Sequence, residues 1–471
     1  MVLRLTRRQF IAGSALLGAA LATPGAQAQT RPRFLKIDTR TLVVNGKAAR
    51  VFSLTESGRH SGLKFDPGER FTVALENRLT EPSIIHWHGM TPRPEDDGVY
   101  DTGYGAPLAP GETRKYDFPA RPGTHWMHSH HGLQEQALLA APLIVRTAED
   151  LAEDAQEVVV LLHDFTFRDP AEILAGLTGT PASGGGMNHG AMNHGAMSHG
   201  TSGGMDLNDV EFDAYLANDR TLDDPEVVPV ERNGRVRLRI INGASATAFW
   251  IDLGGTLASA IAVDGNPVTP LVGSRFPLAQ GQRIDLMLTV PAGGIVPVFA
   301  RREGDTIRTG LVLAAPGALV PKLPERTPAQ EAPVDLSLET QLRAPTPLPA
   351  RAADMVQEVM LMGSMAPYAW TMDGQTWDTR NRLTVKAGQR VELTFWNHSM
   401  MAHPMHLHGH HFQVVGIGDA RFSGAIRDTV LVPPMARVTI AFDADNPGRW
   451  LYHCHNLYHM AAGMMSEIVY A

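Results

Sequence analysis

A short segment near the C-terminus combines three kinds of metal-ligating side chain around one residue. Cys454 is the only cysteine among 471 residues, and His459 and Met464 follow it five and ten positions later. Two imidazoles, one thiolate and a weak axial thioether form the ligand set of a blue-copper electron-transfer site. The second imidazole must come from elsewhere in the chain, and His403 is placed to provide it. The spacing therefore predicts one copper ion at Cys454.

The two neighbours of this cysteine are both histidines, His453 and His455. Alternate side chains of an extended strand point to opposite faces. The sulfur of Cys454 would therefore face one way and both imidazoles the other. We expect this segment to connect one metal site to a second through a few covalent bonds.

Three further His-x-His pairs could complete the second site: His86 with His88, His128 with His130, and His406 with His408. Each pair places two imidazoles on one strand face about 6.6 Å apart. Together with His453 and His455 this makes eight imidazoles, which suits a cluster of about three ions. Zinc is the alternative metal, but catalytic zinc usually has three protein ligands and one open position. Copper therefore explains the ligand set better.

Four segments resemble the copper motifs of the multicopper oxidases, and they occur in the family's order. They read HWHG (86–89), HWMHSHHG (125–132), HPMHLHGH (403–410) and HCHNLYHMAAGM (453–464). The resemblance extends over essentially the whole mature chain and implies four copper ions. It implies a type 1 copper held by His403, Cys454 and His459 with axial Met464, and a type 2 copper held by His86 and His406. It assigns the type 3 pair to His88, His128, His130, His408, His453 and His455.

Five other histidines lie among these motifs but match no ligand position of the family. We interpret them as structural residues or as supports of the ligands: His125, His131, His398, His410 and His411.

The same resemblance implies the chemistry. A reductant would give up single electrons near an exposed edge of His459, and the Cys454 segment would pass them on until O₂ is reduced to water. Water formation consumes protons, and the resemblance assigns a proton-relay carboxylate to Asp97 rather than to Asp96. The alternative for Asp97 is a solvated turn carboxylate. Many family members have another acid near the type 1 histidine, but here no carboxylate precedes Glu467 in that region.

The N-terminus predicts export. Thr6-Arg7-Arg8-Gln9-Phe10-Ile11 precedes an apolar run and Ala26-Gln27-Ala28, which together are typical of a twin-arginine signal peptide over residues 1–28. We expect periplasmic localisation through the twin-arginine export machinery, with an uncleaved N-terminal anchor as the alternative. No other apolar run has the length of a transmembrane helix.

Charge and cysteine content narrow the class of protein further. Loss of the signal removes three arginines and no acid, which takes the formal charge from −8 to −11. This sign disfavours nucleic-acid binding. A lone cysteine cannot form a disulfide within the chain, so stability must come from a buried core.

One strand pattern occurs three times and indicates three related domains. Alternating apolar residues end in asparagine at 70–77, 235–242 and 390–397, each preceded by a turn glycine. We therefore predict an all-β fold of three Greek-key β-sandwich domains, and the family resemblance implies that these are cupredoxin-like. The predicted domains span 30–147, 155–315 and 350–471, with a proline-rich linker over 316–349. Only the first and third contain histidine pairs, so these two should face each other.

A low-complexity insert at 184–205 interrupts the middle domain. It repeats methionine and histidine between glycines, and these side chains suit Cu(I). We predict an arm that captures Cu(I) through Met187, His189, Met192, His194, Met197 and His199; a flexible insert of no consequence is the alternative. A second methionine group, which opens the third domain, is interpreted as packing: Met355, Met360, Met362 and Met365.

Three functions share the same ligands. The arm favours oxidation of Cu(I) by O₂ in copper tolerance. A laccase-like phenol or Mn(II) oxidase, with a small organic reductant or manganese as the electron donor, is the second hypothesis. A copper-storage protein without enzymatic activity is the third.

Overall fold

The computed structural model describes residues 32–56, 62–179 and 207–471. The predicted signal segment 1–28 and the insert 184–205, with its six candidate Cu(I) ligands, lie outside the described residues. Strands dominate the rest, and none of the helices in the described ranges is long and apolar enough to cross a membrane.

The first region forms two four-stranded sheets that share an apolar core. Their strand orders are β2-β1-β4-β6 and β3-β8-β7-β5. Strands β1 to β8 span Arg33–Val44, Lys47–Glu56, Leu63–Phe65, Arg70–Asn77, Ile85–His86, Thr113–Pro119, Gly123–Ser129 and Ala140–Val145. Leu35 and Val73 of one sheet and Met127 and Leu143 of the other belong to one buried cluster, as two packed sheets require.

The middle region forms a six-stranded sheet, β10-β9-β12-β17-β14-β15, and a five-stranded sheet, β11-β19-β18-β13-β16. Strands β9 to β19 span Gln156–Phe165, Ala214–Ala217, Val227–Pro229, Arg235–Asn242, Phe249–Asp252, Ala258–Val263, Asn266–Gly273, Arg275–Leu278, Arg283–Thr289, Ile295–Arg302 and Arg308–Ala314. Two short helices belong to this part of the chain: α1 (Ala148–Ala152) and α2 (Pro170–Thr178).

The third region forms a sheet in the order β21-β20-β23-β29-β25-β26, with β27 paired to β25, and a sheet in the order β22-β31-β30-β24-β28. Strands β20 to β31 span Met355–Met365, Tyr368–Met372, Leu383–Val385, Arg390–Asn397, His403–Leu407, Phe412–Ile417, Ala420–Arg421, Ile426–Arg427, Thr429–Val432, Arg437–Asp443, Arg449–Cys454 and Met465–Tyr470. Helix α3 (Leu457–Ala461) lies between β30 and β31. The stretch 316–349 contains turns but no helix or strand, as its proline content predicts.

The three repeated sequences form strands β4, β12 and β23 with the predicted bounds. Each strand ends at a fully buried asparagine: Asn77, Asn242 and Asn397. In every copy the side-chain Nδ2 donates to backbone carbonyls of a later loop, and Oδ1 accepts the backbone N–H two residues on. These bonds fix the turn that follows the strand. In the first and third regions that turn begins the loop to the histidine pairs.

Candidate metal centre

The predicted ligands converge into overlapping buried groups. In each group, one ligand atom from every residue lies within 4.8 Å of the others. The groups are His403, Cys454 and His459; His86, His88 and His406; His88, His128 and His455; His130, His408 and His453; and His86, Asp97 and His408.

Strand pairing brings the histidine pairs together. In the third region β24 is antiparallel to β30, with His406 opposite His453. In the first region β5 is antiparallel to β7, with His86 opposite His128. Opposed residues of antiparallel strands lie on the same face of the sheet. The two regions meet where Nε2 of His406 lies 3.4 Å from Nε2 of His86, so the predicted facing of the ligand-bearing regions is confirmed.

Cys454 lies in a compact triangle with two imidazoles. Its Sγ is 3.6 Å from Nδ1 of both His403 and His459, and these two nitrogens are 3.1 Å apart. Met464 is fully buried, and its backbone carbonyl accepts the Cys454 N–H at 3.1 Å. Burial raises the pKa of the Cys454 thiol, so a metal ion that binds here must displace the thiol proton.

Helix α3 returns His459 to this triangle. Asn456 caps the helix, because its side-chain oxygen accepts the backbone N–H groups of Tyr458 and His459. The Asn456 backbone N–H points at Sγ of Cys454 at 3.4 Å. The cap therefore fixes the loop on both sides of the sulfur.

The donor atoms fit metal ions. Among the described residues, four buried nitrogens of the predicted ligand imidazoles have no hydrogen-bond partner: Nδ1 of His88 and Nε2 of His128, His130 and His455. An unpaired buried polar atom costs about 1–3 kcal/mol unless something else binds it. Burial lowers the pKa of His88 and His128 well below the usual value and that of His455 to about 3, so these rings are neutral and carry the lone pair that a metal needs.

Asp97 shares one of the groups with His86 and His408. It is buried, with Oδ2 2.9 Å from Nδ1 of His408 and its backbone carbonyl 2.9 Å from Nδ1 of His86. The alternative of a solvated turn carboxylate is therefore wrong. A Cβ at the following Gly98 (φ +82°) would lie 1.7 Å from the Ile85 carbonyl oxygen, which explains the Asp-Gly pair. Asp96 instead accepts hydrogen bonds from Arg93 and belongs to no metal group of the described residues.

Three buried carboxylates that were not predicted from the sequence contact the outer nitrogen of a ligand imidazole. The pairs are Glu135 with His128 at 2.6 Å, Asp428 with His88 at 3.1 Å, and Asp209 with His459 at 3.1 Å. Burial raises the pKa of Glu135 to about 7. Asp428 and Asp209 lie hundreds of positions from their histidines and in no motif. Glu135 follows His128 by seven residues, and its place in a histidine-bearing segment was the one available signal.

Two sequence-based expectations are wrong. His459 has no exposed edge: its ring is fully buried, and its outer nitrogen faces Asp209. The packing interpretation of the second methionine group fails for Met360 and Met362, which are 38% and 37% exposed. Met355 and Met365 do pack against the core. The two exposed methionines occupy the outward positions of β20, whose inward residues Val359 and Leu361 are buried.

The five histidines that lie near the motifs but match no ligand position also lie outside all the metal groups found in the described residues. His125, His410 and His411 are enclosed by protein and contact oxygen atoms; for example, Nε2 of His410 is 2.6 Å from the Tyr470 hydroxyl. His131 is half-buried and His398 is exposed. Their interpretation as structural residues remains a prediction.

Known protein families match this chain over the same three regions. Three family models described as multicopper oxidase match residues 37–150, 156–309 and 351–471. The chain is 34% identical to multicopper oxidase MmcO of Mycobacterium tuberculosis over 86% of its own length and 80% of that protein. It is 26% identical to a copper resistance protein A homolog of Pseudomonas syringae pv. tomato over 99% of both chains.

A solved structure of the Botrytis aclada laccase covers 93% of this chain and 87% of its own, with a TM-score of 0.76 and 20% identity. The predicted fold class, an all-β chain of cupredoxin-like β-sandwiches, is confirmed. The chain belongs to the multicopper oxidase family, a class of copper-dependent oxidoreductases. The boundaries of the three domains stay a prediction from the sequence.

Proposed function

We propose that this protein oxidises Cu(I) with O₂. Four Cu(I) ions would give up one electron each, and O₂ with four protons would become two molecules of water. The observation that carries the proposal is the direct linkage of the two kinds of site. Cys454 belongs to the sulfur-containing triangle, and its neighbours His453 and His455 belong to two different histidine groups.

We assign four copper ions to the groups. The type 1 site would be His403, Cys454 and His459, with Met464 as the axial ligand, and the type 2 site His86 and His406. The type 3 ions would be held by His88, His128 and His455, and by His130, His408 and His453. When bound, these ions would supply one-electron storage at the first site and four-electron reduction of O₂ at the other three.

The protein's own residues define the route between the sites. Cys454 is joined to His453 and to His455 by one peptide bond each. A covalent path for electrons therefore leads from the sulfur to both histidine groups. Asp97 would hold and pass protons, because its carboxylate contacts His408 in a buried position where water is scarce. The neutral imidazoles around it accept no proton themselves while they bind metal.

The surroundings of His459 favour a small ion over an organic molecule as the reductant. Its ring is enclosed by Trp370, at 4.0 Å between ring centroids, and by Asp209. The buried ring gives neither reductant direct access, but the carboxylate that lies against it attracts a cation and not a neutral phenol.

The contacts of the described residues on either side of the insert also favour Cu(I). On its N-terminal side, α2 packs against β21, the strand that contains Trp370. On its C-terminal side, Asp209 contacts His459. The described residues that precede and follow segment 184–205 in sequence therefore lie beside the Cys454 triangle, which supports the predicted delivery of Cu(I) by the methionines and histidines of that segment.

The biological setting belongs to the same proposal. Oxidation of Cu(I) would serve copper tolerance, and the twin-arginine segment would place the enzyme in the periplasm. Two of the similar proteins are named copper resistance protein A. A laccase-like activity is the alternative, since L-ascorbate oxidase of Cucurbita pepo var. melopepo is 26% identical over 85% of the chain.

Oxygen uptake in one copper-loaded preparation tests the reductant. We expect faster turnover with Cu(I) than with a dimethoxyphenol. Replacing 184–205 by a glycine-serine linker of equal length should lower Cu(I) turnover and leave phenol turnover unchanged. Equal loss on both reductants would defeat the assignment of the arm, and turnover on phenol alone would establish the laccase alternative. No turnover on either would favour copper storage.

A further inference from the structure

The middle region, which supplies no predicted type 1, type 2 or type 3 ligand, nevertheless reaches the histidine cluster through the turn 279–283. A Cβ at Gly281 (φ +78°) would lie 2.8 Å from Cδ2 of His455. Nε2 of Gln282 donates to the backbone carbonyl of Thr429 in the third region at 3.2 Å. The turn is therefore packed directly against the ligand residues.

Arg283 ends this turn and is fully buried. Its guanidinium donates to Asp428 through two parallel bonds, Nη1 to Oδ1 at 2.7 Å and Nη2 to Oδ2 at 2.5 Å. The remaining donors reach the carbonyls of Gly281 (Nη1, 3.0 Å) and Thr124 (Nε, 3.2 Å). A bidentate guanidinium fixes the plane of a carboxylate, which a single ammonium group cannot do. Arg283 thus joins all three regions at one carboxylate.

Asp428 transmits this constraint to two ligand imidazoles. Its Oδ1 lies 3.1 Å from Nε2 of His88, and its backbone carbonyl lies 2.8 Å from Nδ1 of His406. A hydrogen on the outer nitrogen of each ring leaves the other nitrogen as a lone-pair donor. In His88 that other nitrogen is Nδ1, which is buried and unpartnered within the described structure.

The Arg283 guanidinium also explains why the last residue of the HWHG motif is a glycine. A Cβ on Gly89 (φ +91°) would lie 2.6 Å from Nη2 of Arg283. The guanidinium therefore lies against the backbone that immediately follows His88. A larger residue at position 89 would displace the arginine or His125, whose Nδ1 would lie 2.3 Å from that Cβ.

We propose that Arg283 is a positioning residue of the three-copper cluster: by clamping Asp428 it fixes the tautomer and orientation of His88 and His406. The middle region then determines whether the cluster retains its metal. The inference rests on the proposed function, because it assumes copper at these histidines. It also assigns a role to a region that contains no histidine pair.

Copper retention in four variants tests this role. Arg283→Met removes both hydrogen bonds to Asp428. Arg283→Lys keeps the positive charge but cannot form the two parallel bonds, and Asp428→Asn keeps the side-chain shape but not the carboxylate. Arg239→Met is the matched control. Arg239 is equally buried in the adjacent strand β12 and is paired with Asp150, Glu157 and Asp285, away from the ligands.

The readouts are copper per protein, the electron paramagnetic resonance signal of the type 2 ion, and copper loss to a competing chelator. We expect the three Arg283 and Asp428 variants to hold the cluster ions about 10–100-fold more weakly, as loss of an outer partner of a ligand does. Their blue colour from the Cys454 site should persist. Arg239→Met should unfold at a lower temperature but keep the wild-type copper ratio.

Wild-type retention of cluster copper in Arg283→Lys and Asp428→Asn would overturn the proposal, as would equal loss in Arg239→Met. These two conservative variants keep the test valid if Arg283→Met fails to fold. A wild-type protein that binds no type 2 or type 3 copper would instead contradict the proposed function.

Discussion

Several ligand imidazoles contact a buried carboxylate through their outer nitrogen, and these contacts set how the ligands are presented to the metal groups. Asp97 contacts His408, Glu135 contacts His128 and Asp428 contacts His88, each through the nitrogen that faces away from its metal group. Such partners fix which nitrogen binds metal and how the ring is oriented. The histidine spacing predicts the ligands, whereas their partners depend on the folded chain.

Asp97→Asn tests proton delivery at this scale. The amide keeps the shape of the side chain but cannot hold and release a proton, so we expect turnover to fall at least about 100-fold. Copper content and blue colour should remain at wild-type values. Oxygen uptake with a saturating reductant measures the effect.

Asp96→Asn is the control for that variant, because Asp96 is the neighbouring carboxylate and bonds only to Arg93 in the described structure. Its turnover should stay within about twofold of wild type. The relay assignment fails if the Asp97 variant turns over normally with full copper.

At the scale of single residues, the sequence predicts the identity of the ligands but not their grouping. Residue types and motif order were enough to name the twelve candidate ligands. They did not divide the six type 3 candidates into two groups, because each group combines residues of the first and third regions and depends on how these regions meet. They also gave His459 an exposed edge, since Asp209 approaches it from 250 positions away.

Among the elements, the β30–α3–β31 segment holds the Cys454 loop in place. Glu467 of β31 accepts hydrogen bonds from Arg380, Arg382 and Arg449 at 2.7, 2.7 and 2.8 Å. It is fully buried. It is the next carboxylate after the cysteine, yet these bonds commit it to holding the strand rather than to proton transfer at the metal groups.

Glu467→Gln tests this structural role through its pH dependence. Burial alone would raise the pKa of Glu467, but the contacts with Arg449 and Arg380 outweigh it and lower the pKa below the usual value. A lowered pKa stabilises the fold above the unfolded value of about 4.5 and ceases to do so as the pH falls through the folded value. The variant should therefore lose about 1–2 kcal/mol of unfolding free energy at pH 7, with a smaller difference at acidic pH.

Urea denaturation of the copper-free protein at pH 7 and pH 4 measures that difference. Glu392→Gln serves as the control, since its pair with the exposed Arg421 is a surface ion pair that contributes at most about 1 kcal/mol. A difference that grows toward acid would refute the argument.

Elements with a buried face were predictable because alternation specifies them locally. Strands β4, β12 and β23 follow the repeated pattern residue for residue. Helix α3 was not predicted, because its five residues are fixed by the Asn456 cap and not by periodicity. The outward Met360 and Met362 were misassigned because composition alone does not say which face of β20 is covered.

For the whole molecule, the histidine cluster joins distant parts of the chain. His86 and His88 from the first region meet His406 and His455 from the third within single groups. Metal bound here would hold the two regions together, and Arg283 adds the middle region through Asp428. The distribution of histidine pairs was enough to predict this facing, whereas the contribution of the middle region depends on side-chain contacts that only the folded chain creates.

Copper removal should therefore destabilise the whole chain. A ligand that binds only the native state stabilises it by about 4 kcal/mol at a thousandfold excess over its Kd. We expect chelation to lower the unfolding temperature by several degrees, with one cooperative transition in the loaded protein. Calorimetry with and without a copper chelator measures this. An unchanged unfolding temperature would show that the regions are held together without metal.

The most direct test of the central claim is the absorption spectrum and copper content of the wild type and Cys454→Ser, each loaded with copper in the same way. The wild type should be intensely blue and hold about four copper ions per chain. The serine variant should lose the colour and one copper ion and keep the ions of the histidine groups. A colourless loaded wild type, or a serine variant that stays blue, would contradict the assignment of copper to the Cys454 triangle.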